Sequence, residues 1–426
     1  VHLSRDSLHG SRRFGERDVA SVGEQTSALG LLPEGERIDV SPSVSKDWLG
    51  YRVGASPGRW RFAGEMKLAG PDDGFVEPVY TPGDAGPPDR HPNSVILGDP
   101  ETRRMYEITM EAGDLEKIGR AFRASGLDRP TVTDKPSGDD APVNKGWSGG
   151  LDNRTPRGAS AYAQNTWPYT TIGQLKKNGF GSTTIGHCGA TFVGSAGTAN
   201  VRYILTAAHC LWDETTGAYL DPDFWPRQDS CLAPSGNGTV AVPGCIPGPY
   251  GEWDGGQWQI PSYFVTNCAG QVPMPAACWQ HDIAIIRVTR QSGASFPGAL
   301  GFGYFSPGDL QLTAFKYHRG YPNCGGPGDP VPTTSCLPAT LYGDEAFTMD
   351  SGSFYDGAWP RVYAFSGDSS GGHSGGPLYF NSGGHFVFGV MSNGICTGSA
   401  CTGTLVSNTR AITATWYNGM TSFMSQ

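Results

Sequence analysis

Ser366-Gly367-Asp368-Ser369-Ser370-Gly371-Gly372-His373-Ser374-Gly375-Gly376-Pro377 frames one serine, Ser374, with glycines on both sides. A serine hydroxyl is a poor nucleophile unless a neighbouring base takes its proton and nearby donors hold the oxyanion that forms. Glycines let the backbone bend so that amide N–H groups converge on one point. A Gly/Ser-rich turn by itself is an ordinary loop, and two other stretches change its weight. Thr206-Ala207-Ala208-His209-Cys210 places a histidine after the apolar run Tyr203-Ile204-Leu205, and His281-Asp282-Ile283-Ala284-Ile285-Ile286 places a carboxylate at the head of another apolar run. Along the chain the order is His209, Asp282, Ser374.

With that order and the motifs TAAHC, DIAI and GHSGGP, the chain resembles the chymotrypsin-fold (trypsin-like) serine proteases from about Gly146 to its end. Within them it is most similar to the bacterial and fungal glutamyl-endopeptidase-like branch. The residues behind that likeness are Gly146-Trp147-Ser148, Asp152-Asn153-Arg154-Thr155, Trp167-Pro168-Tyr169, Thr171-Ile172-Gly173-Gln174-Leu175 and the pair Gly371-Gly372.

The resemblance implies an all-β fold of two antiparallel β-barrels with a C-terminal helix and a catalytic cleft between the barrels. It implies a nucleophile at Ser374, a general base at His209, and an Asp282 that holds the imidazole tautomer and stabilises its charged form. The N–H groups of Gly372 and Ser374 would form the oxyanion hole. Singly, each residue has a plainer reading: a core histidine beside a disulfide, a strand cap and a turn serine. Three motifs in family order make the joint coincidence improbable.

His373 stands where trypsin-like enzymes carry an aspartate that pairs with a newly freed amino terminus. A histidine would not attract that amine, so this activation switch is not expected here. Asp368 lies where such enzymes carry the carboxylate at the pocket base, and Ser392-Asn393-Gly394 is the expected pocket wall. Asp368 favours Arg or Lys at the cleaved position. The glutamyl branch reads glutamate with a histidine before that wall, and Met391 stands there instead. The expected substrates are polypeptides, with no cofactor and no metal. The rivals are an inactive secreted binding protein on the same fold, a glutamyl-specific enzyme and an esterase.

Composition narrows the class. A net charge of −9 offers no broad basic surface for nucleic acid. No apolar run approaches the ~20 residues of a membrane-spanning helix. A start at Val1 rather than methionine reads as a processed product of a secreted, signal-bearing precursor. A monomer is expected. Gly 62 and Pro 33 suit short strands and many turns.

All ten cysteines fall between Cys188 and Cys401, an even count that reads as disulfides in an oxidising compartment. Zinc would want close Cys-x₂-Cys pairs or clustered histidines, and the chain has neither. The family likeness pairs Cys188 with Cys210. Sequence neighbours are the simplest guess for Cys231–Cys245, Cys268–Cys278, Cys324–Cys336 and Cys396–Cys401, although spacing alone does not fix connectivity.

The first part of the chain differs from the rest. Of the 71 charged residues, 42 precede position 141, so this part has a different surface character from the remainder. Strand-like runs occur at Tyr51–Val53, Phe75–Tyr80 and Ser94–Leu97. An amphipathic helix is predicted from about Asp114 to Ala124, with Leu115, Ile118, Ala121 and Phe122 on one side. Asp128 to Asn144 reads as a Pro- and acid-rich linker. These cues favour a propeptide and linker over 1–145 and a protease domain over 146–426. Within the latter the first barrel spans about 155–295, the second about 296–410, and the closing helix about 411–424.

Overall fold

The computed structural model describes residues 58–69, 94–110, 112–132, 155–156, 167–177, 188–213, 216–227, 232–235, 238–241, 250–271, 274–306, 309–310, 316–321, 342–343, 362–365, 372–381, 384–396 and 405–425. Strands β1 (Gly58–Glu65), β2 (Ser94–Asp99) and β3 (Arg104–Met110) come first, then helix α1 (Ala112–Ala124) and the short β4 (Thr131–Val132). Next are β5 (Thr155–Pro156), β6 (Ile172–Lys177), β7 (Cys188–Phe192), β8 (Val201–Thr206), β9 (Pro222–Pro226), β10 (Leu232–Ser235), β11 (Gly238–Ala241), β12 (Trp253–Pro261), helix α2 (Ser262–Asn267) and β13 (Ala284–Arg290). The last are β14 (Gly298–Ala299), β15 (Gly301–Phe302), β16 (Lys316–His318), β17 (Tyr342–Gly343), β18 (Val362–Phe365), β19 (Pro377–Asn381), β20 (His385–Cys396), β21 (Leu405–Ala411) and helix α3 (Ala414–Met424).

Two sheets dominate. In the first, β12, β13, β8, β7, β6 and β9 follow one another antiparallel, and β9 closes back on β12 at Phe224↔Trp253, making a six-stranded barrel. Closure leaves its interior to side chains. Phe192 sits at the centre with ring centroids 4.9 Å from Phe224, 5.1 Å from Trp253 and 5.3 Å from Phe296, all near-perpendicular. Edge-to-face contacts of this kind add about 0.5–1.5 kcal/mol each to the area buried. The run Ala284-Ile285-Ile286 is buried without alternation, as expected of a strand covered on both faces. Its neighbour β8 carries Tyr203, whose outer side meets Phe423 of α3 at 5.7 Å.

The second sheet runs β16-β19-β20-β21-β18, with β15 added parallel to β20. Its core joins Leu310, Leu378, Phe380, Phe388 and Met391. The fold is therefore all-β with a closed barrel, a second sheet and a short C-terminal helix, the two-barrel arrangement expected from the sequence. Thr413 caps α3 by accepting from the Trp416 N–H at 3.3 Å. The helix starts at Ala414, after the position 411 expected, because Leu405–Ala411 is still strand.

The first sheet also crosses the position where propeptide and protease were expected to part. β2 pairs antiparallel with β12 at its distal end, and β3 and β1 follow outward. The predicted helix is present as α1, with a shifted buried face: Leu115, Gly119 and Phe122 are buried while Ala121 is exposed. Gly119 replaces Ala121 on that face because α3 approaches closely; a Cβ at 119 would lie 2.0 Å from Asn418 Oδ1. The runs Tyr51–Val53 and Phe75–Tyr80 lie outside the described residues.

Candidate active site

Strand register brings His209 and Asp282 together. β8 and β13 pair antiparallel with Thr206 opposite Ala284. Continuing β8 forward and β13 backward past that rung places His209, in the turn Ala208–Leu211, beside Asp282, which ends the turn Ala276–His281. Both residues are fully buried. His209 Nδ1 lies 2.7 Å from Asp282 Oδ2, and the His209 backbone N–H donates to Oδ1 at 2.8 Å. Carboxylate oxygens accept, so Nδ1 is the nitrogen that faces an acceptor, while Nε2 lies 3.8 Å from Cys210 Sγ. The Cys188–Cys210 disulfide, S–S 2.04 Å, ties the histidine turn to the start of β7.

Ser392 completes the carboxylate's shell. Its hydroxyl donates to Asp282 Oδ2 at 2.5 Å, and it is fully buried. The β20–β21 register slips between Met391 and Asn393, leaving Ser392 as the extra residue of a bulge. A bulge re-aims the side chain it carries, here toward Asp282. The sequence reading assigned Ser392 to the pocket wall; in the structure its side chain also hydrogen-bonds the carboxylate. No sequence motif announces a bulge, which is why this role was missed. Asn393 and Gly394 continue β20 opposite Asn408 and Ser407.

Ser374 sits shortly before β19 and is 2 % exposed. Gly372 and Gly375 take φ of +87° and +76°, values that side-chain-bearing residues adopt with strain. The loop is fastened at both sides. The Gly189 N–H donates to the Ser374 carbonyl at 2.7 Å, and Gly375 N–H donates to Met391 O at 2.8 Å. Gly375 also lies against the strand that leads to His209: a Cβ there would be 2.2 Å from Thr206 Oγ1, 2.3 Å from Gly189 O and 3.1 Å from Ala207 N. The serine loop of the second sheet is thus packed on the histidine strand of the first.

His373 is buried with its ring 4.9 Å from that of His318, nearly perpendicular. Its backbone fits against Gly320, where a Cβ would be 2.9 Å from His373 Cα. The adjoining strand β16 carries Lys316 and His318, and Arg319 follows it; all three are buried. Burial pulls the Lys316 amine down to about 8. Residue 373 has a second imidazole beside it.

Asp368 lies outside the described residues, as do Cys231, Cys245, Cys324, Cys336 and Cys401; Cys396 is placed in β20 by its backbone. Besides Cys188–Cys210, the structure joins Cys268 to Cys278. Among the described residues, Cys188, His209 and Cys210 lie close enough to resemble metal ligands. Their two sulfurs are bonded to each other and offer no thiolate to an ion.

No protein-family model matches the chain, and no curated protein sequence does. Among solved structures, it is similar to the protease Anisep from Arthrobacter nicotinovorans at 18% identity, covering 57% of this chain and 90% of that one with a TM-score of 0.39. It is similar also to the thermostable serine protease AL20 from an extremophilic microorganism at 17% identity, covering 59% and 97%, with a TM-score of 0.38.

Proposed function

We propose that this protein is a secreted serine endopeptidase that cleaves polypeptides through an acyl-enzyme on Ser374. The observation that carries this reading is the buried His209–Asp282 pair, with both carboxylate oxygens engaged; in this reading His209 Nε2 is the basic nitrogen. Beside it stands a glycine-framed serine loop packed on the strand that leads to His209.

The chemistry follows from these roles. Ser374 Oγ attacks the scissile carbonyl carbon while His209 Nε2 takes its proton. Asp282 stabilises the imidazolium that results. The carbonyl oxygen, now negative, is held by the N–H groups of Gly372 and Ser374. Losing one such donor costs about 3–4 kcal/mol of transition-state stabilisation. The C–N bond then breaks as His209 returns the proton to the departing amine. Water attacks the acyl-enzyme by the same route and restores Ser374.

Asp368 supports a preference for Arg or Lys before the cleaved bond, with Ser392, Asn393 and Gly394 in the pocket wall. The disulfides support an extracellular enzyme, which is proposed to act as a monomer without a cofactor. The test is cleavage-site profiling on a peptide library with the wild type and Ser374→Ala. The expected result is cleavage after Arg and Lys by the wild type only. Cleavage after Glu would overturn the use of Asp368, and equal cleavage by Ser374→Ala would overturn the nucleophile.

A further inference from the structure

We propose that the described residues between 58 and 132 are a permanent part of the folded protein, so that a chain cut after residue 132 stays a two-chain molecule. The observation is an interlock made at several separate places with the part that carries His209, Asp282 and Ser374.

The first place is the sheet. β2 lies antiparallel on β12 with Gly98 opposite Trp258 and Val95 opposite Pro261. β12 is in turn hydrogen-bonded to β13, the strand that begins just after Asp282. β2 supplies partners to backbone groups that would otherwise form an open edge there. The rung at Gly98 is shaped for one ring. A Cβ at 98 would lie 2.0 Å from Trp258 Cζ2, and Trp258 is completely buried, stacked on Tyr219 at 5.5 Å. Tyr219 is clasped in turn by the amino-terminal segment, donating its N–H to Lys67 O at 2.7 Å and accepting from Ala69 N–H at 2.8 Å.

The second place is the C-terminal helix. The Tyr417 hydroxyl donates to Asp128 Oδ2 at 2.7 Å, and the Arg123 guanidinium lies over the Tyr417 ring at 4.9 Å. Asp128 and Tyr417 are both buried. Leaving would break this bond and expose the buried Tyr417 ring to water. The third place is the stretch between the two sheets, where β4 pairs antiparallel with β14. There the Phe302 N–H donates to Asp128 O at 3.0 Å and the Ser195 N–H to Leu127 O at 2.8 Å.

A propeptide that leaves after cleavage would have to break all three sets and uncover Trp258 and Tyr417. The segment is instead built like the short chain of a two-chain protein. This inference does not depend on the catalytic reading, because it concerns the fold alone.

The test uses the full chain with Ser374→Ala, which prevents self-digestion, and a flexible Gly/Ser insert between 133 and 145 carrying a target for an unrelated processing protease. After complete cutting, the two pieces are expected to elute together in native size-exclusion chromatography and to separate only in denaturant. Elution of the amino-terminal piece alone from the cut protein would overturn the proposal. Hydrogen exchange on the uncut chain gives an independent reading. The amides of β2 are expected to be protected as well as those of β13; exchange of β2 as fast as that of an unpaired strand would likewise overturn it.

Discussion

Two groups of carboxylates in the same barrel meet opposite fates. At the β8–β13 end, Asp282 is fully buried, and both its oxygens accept from N–H or O–H donors. At the β9–β12 end, Asp223 lies among carboxylates, with Glu252, Asp254 and Asp221 as neighbours. Burial first, then the hydrogen bond to Glu252 and the surrounding negative charge, push its carboxyl up to about 9. Nearby Lys176 lies over the Trp225 ring at 3.4 Å, and burial lowers its amine to about 8 against the attraction of Glu252. The two sites differ in their neighbours: N–H and O–H donors surround Asp282, whereas Asp223 is buried among other carboxylates that add to the effect of burial. Charge matters at the first site, where an imidazolium must be stabilised. At the second, a retained proton lets acids share one hydrogen-bonded cluster.

The sharpest way to break this contrast is Asp282→Asn. The amide still accepts from the His209 N–H but no longer holds Nδ1–H, so peptide hydrolysis is expected to fall on the order of 10⁴-fold, with little change in melting temperature. A loss under tenfold, measured as kcat on the preferred peptide, would remove Asp282 from its role.

Ser392→Ala comes next. It removes one hydrogen bond to a charged group, about 1.5–3 kcal/mol. Peptide turnover is expected to fall roughly 10- to 100-fold with KM nearly unchanged. A change in KM alone would limit Ser392 to the pocket wall.

The smallest effect is at the other end of the barrel. Asp223 is protonated in the fold and ionised in the unfolded chain between the ordinary 3.8 and about 9. In that window the folded state binds more protons, so stability falls as pH rises. Asp223→Asn is expected to flatten this slope in melting temperature against pH. An unchanged slope would place the proton elsewhere. Lys176 acts with the opposite sign: between about 8 and 10.5 the fold binds fewer protons there, and stability rises with pH.

What could be read in advance follows the range of the forces. Ile204-Leu205 and Ile283 to Ile286 announced strands because burial is written into consecutive residues, and their histidine and aspartate neighbours announced the pair. The Cys268–Cys278 link followed from proximity along the chain. Ser392 escaped because a bulge is a property of two strands in register. The amino-terminal segment was legible locally, in Ser94–Leu97 and the Asp114–Ala124 helix, yet its partner was not. Period-two burial says which face of a strand is covered. It does not say that Gly98 will meet Trp258.

The central claim is that Ser374 is the nucleophile activated by His209. Treating the folded protein with a fluorophosphonate and mapping the adduct by mass spectrometry tests it directly. The expected adduct is on Ser374, and it should be lost in His209→Ala. An adduct on another residue, or none on protein shown to be folded, would contradict the account.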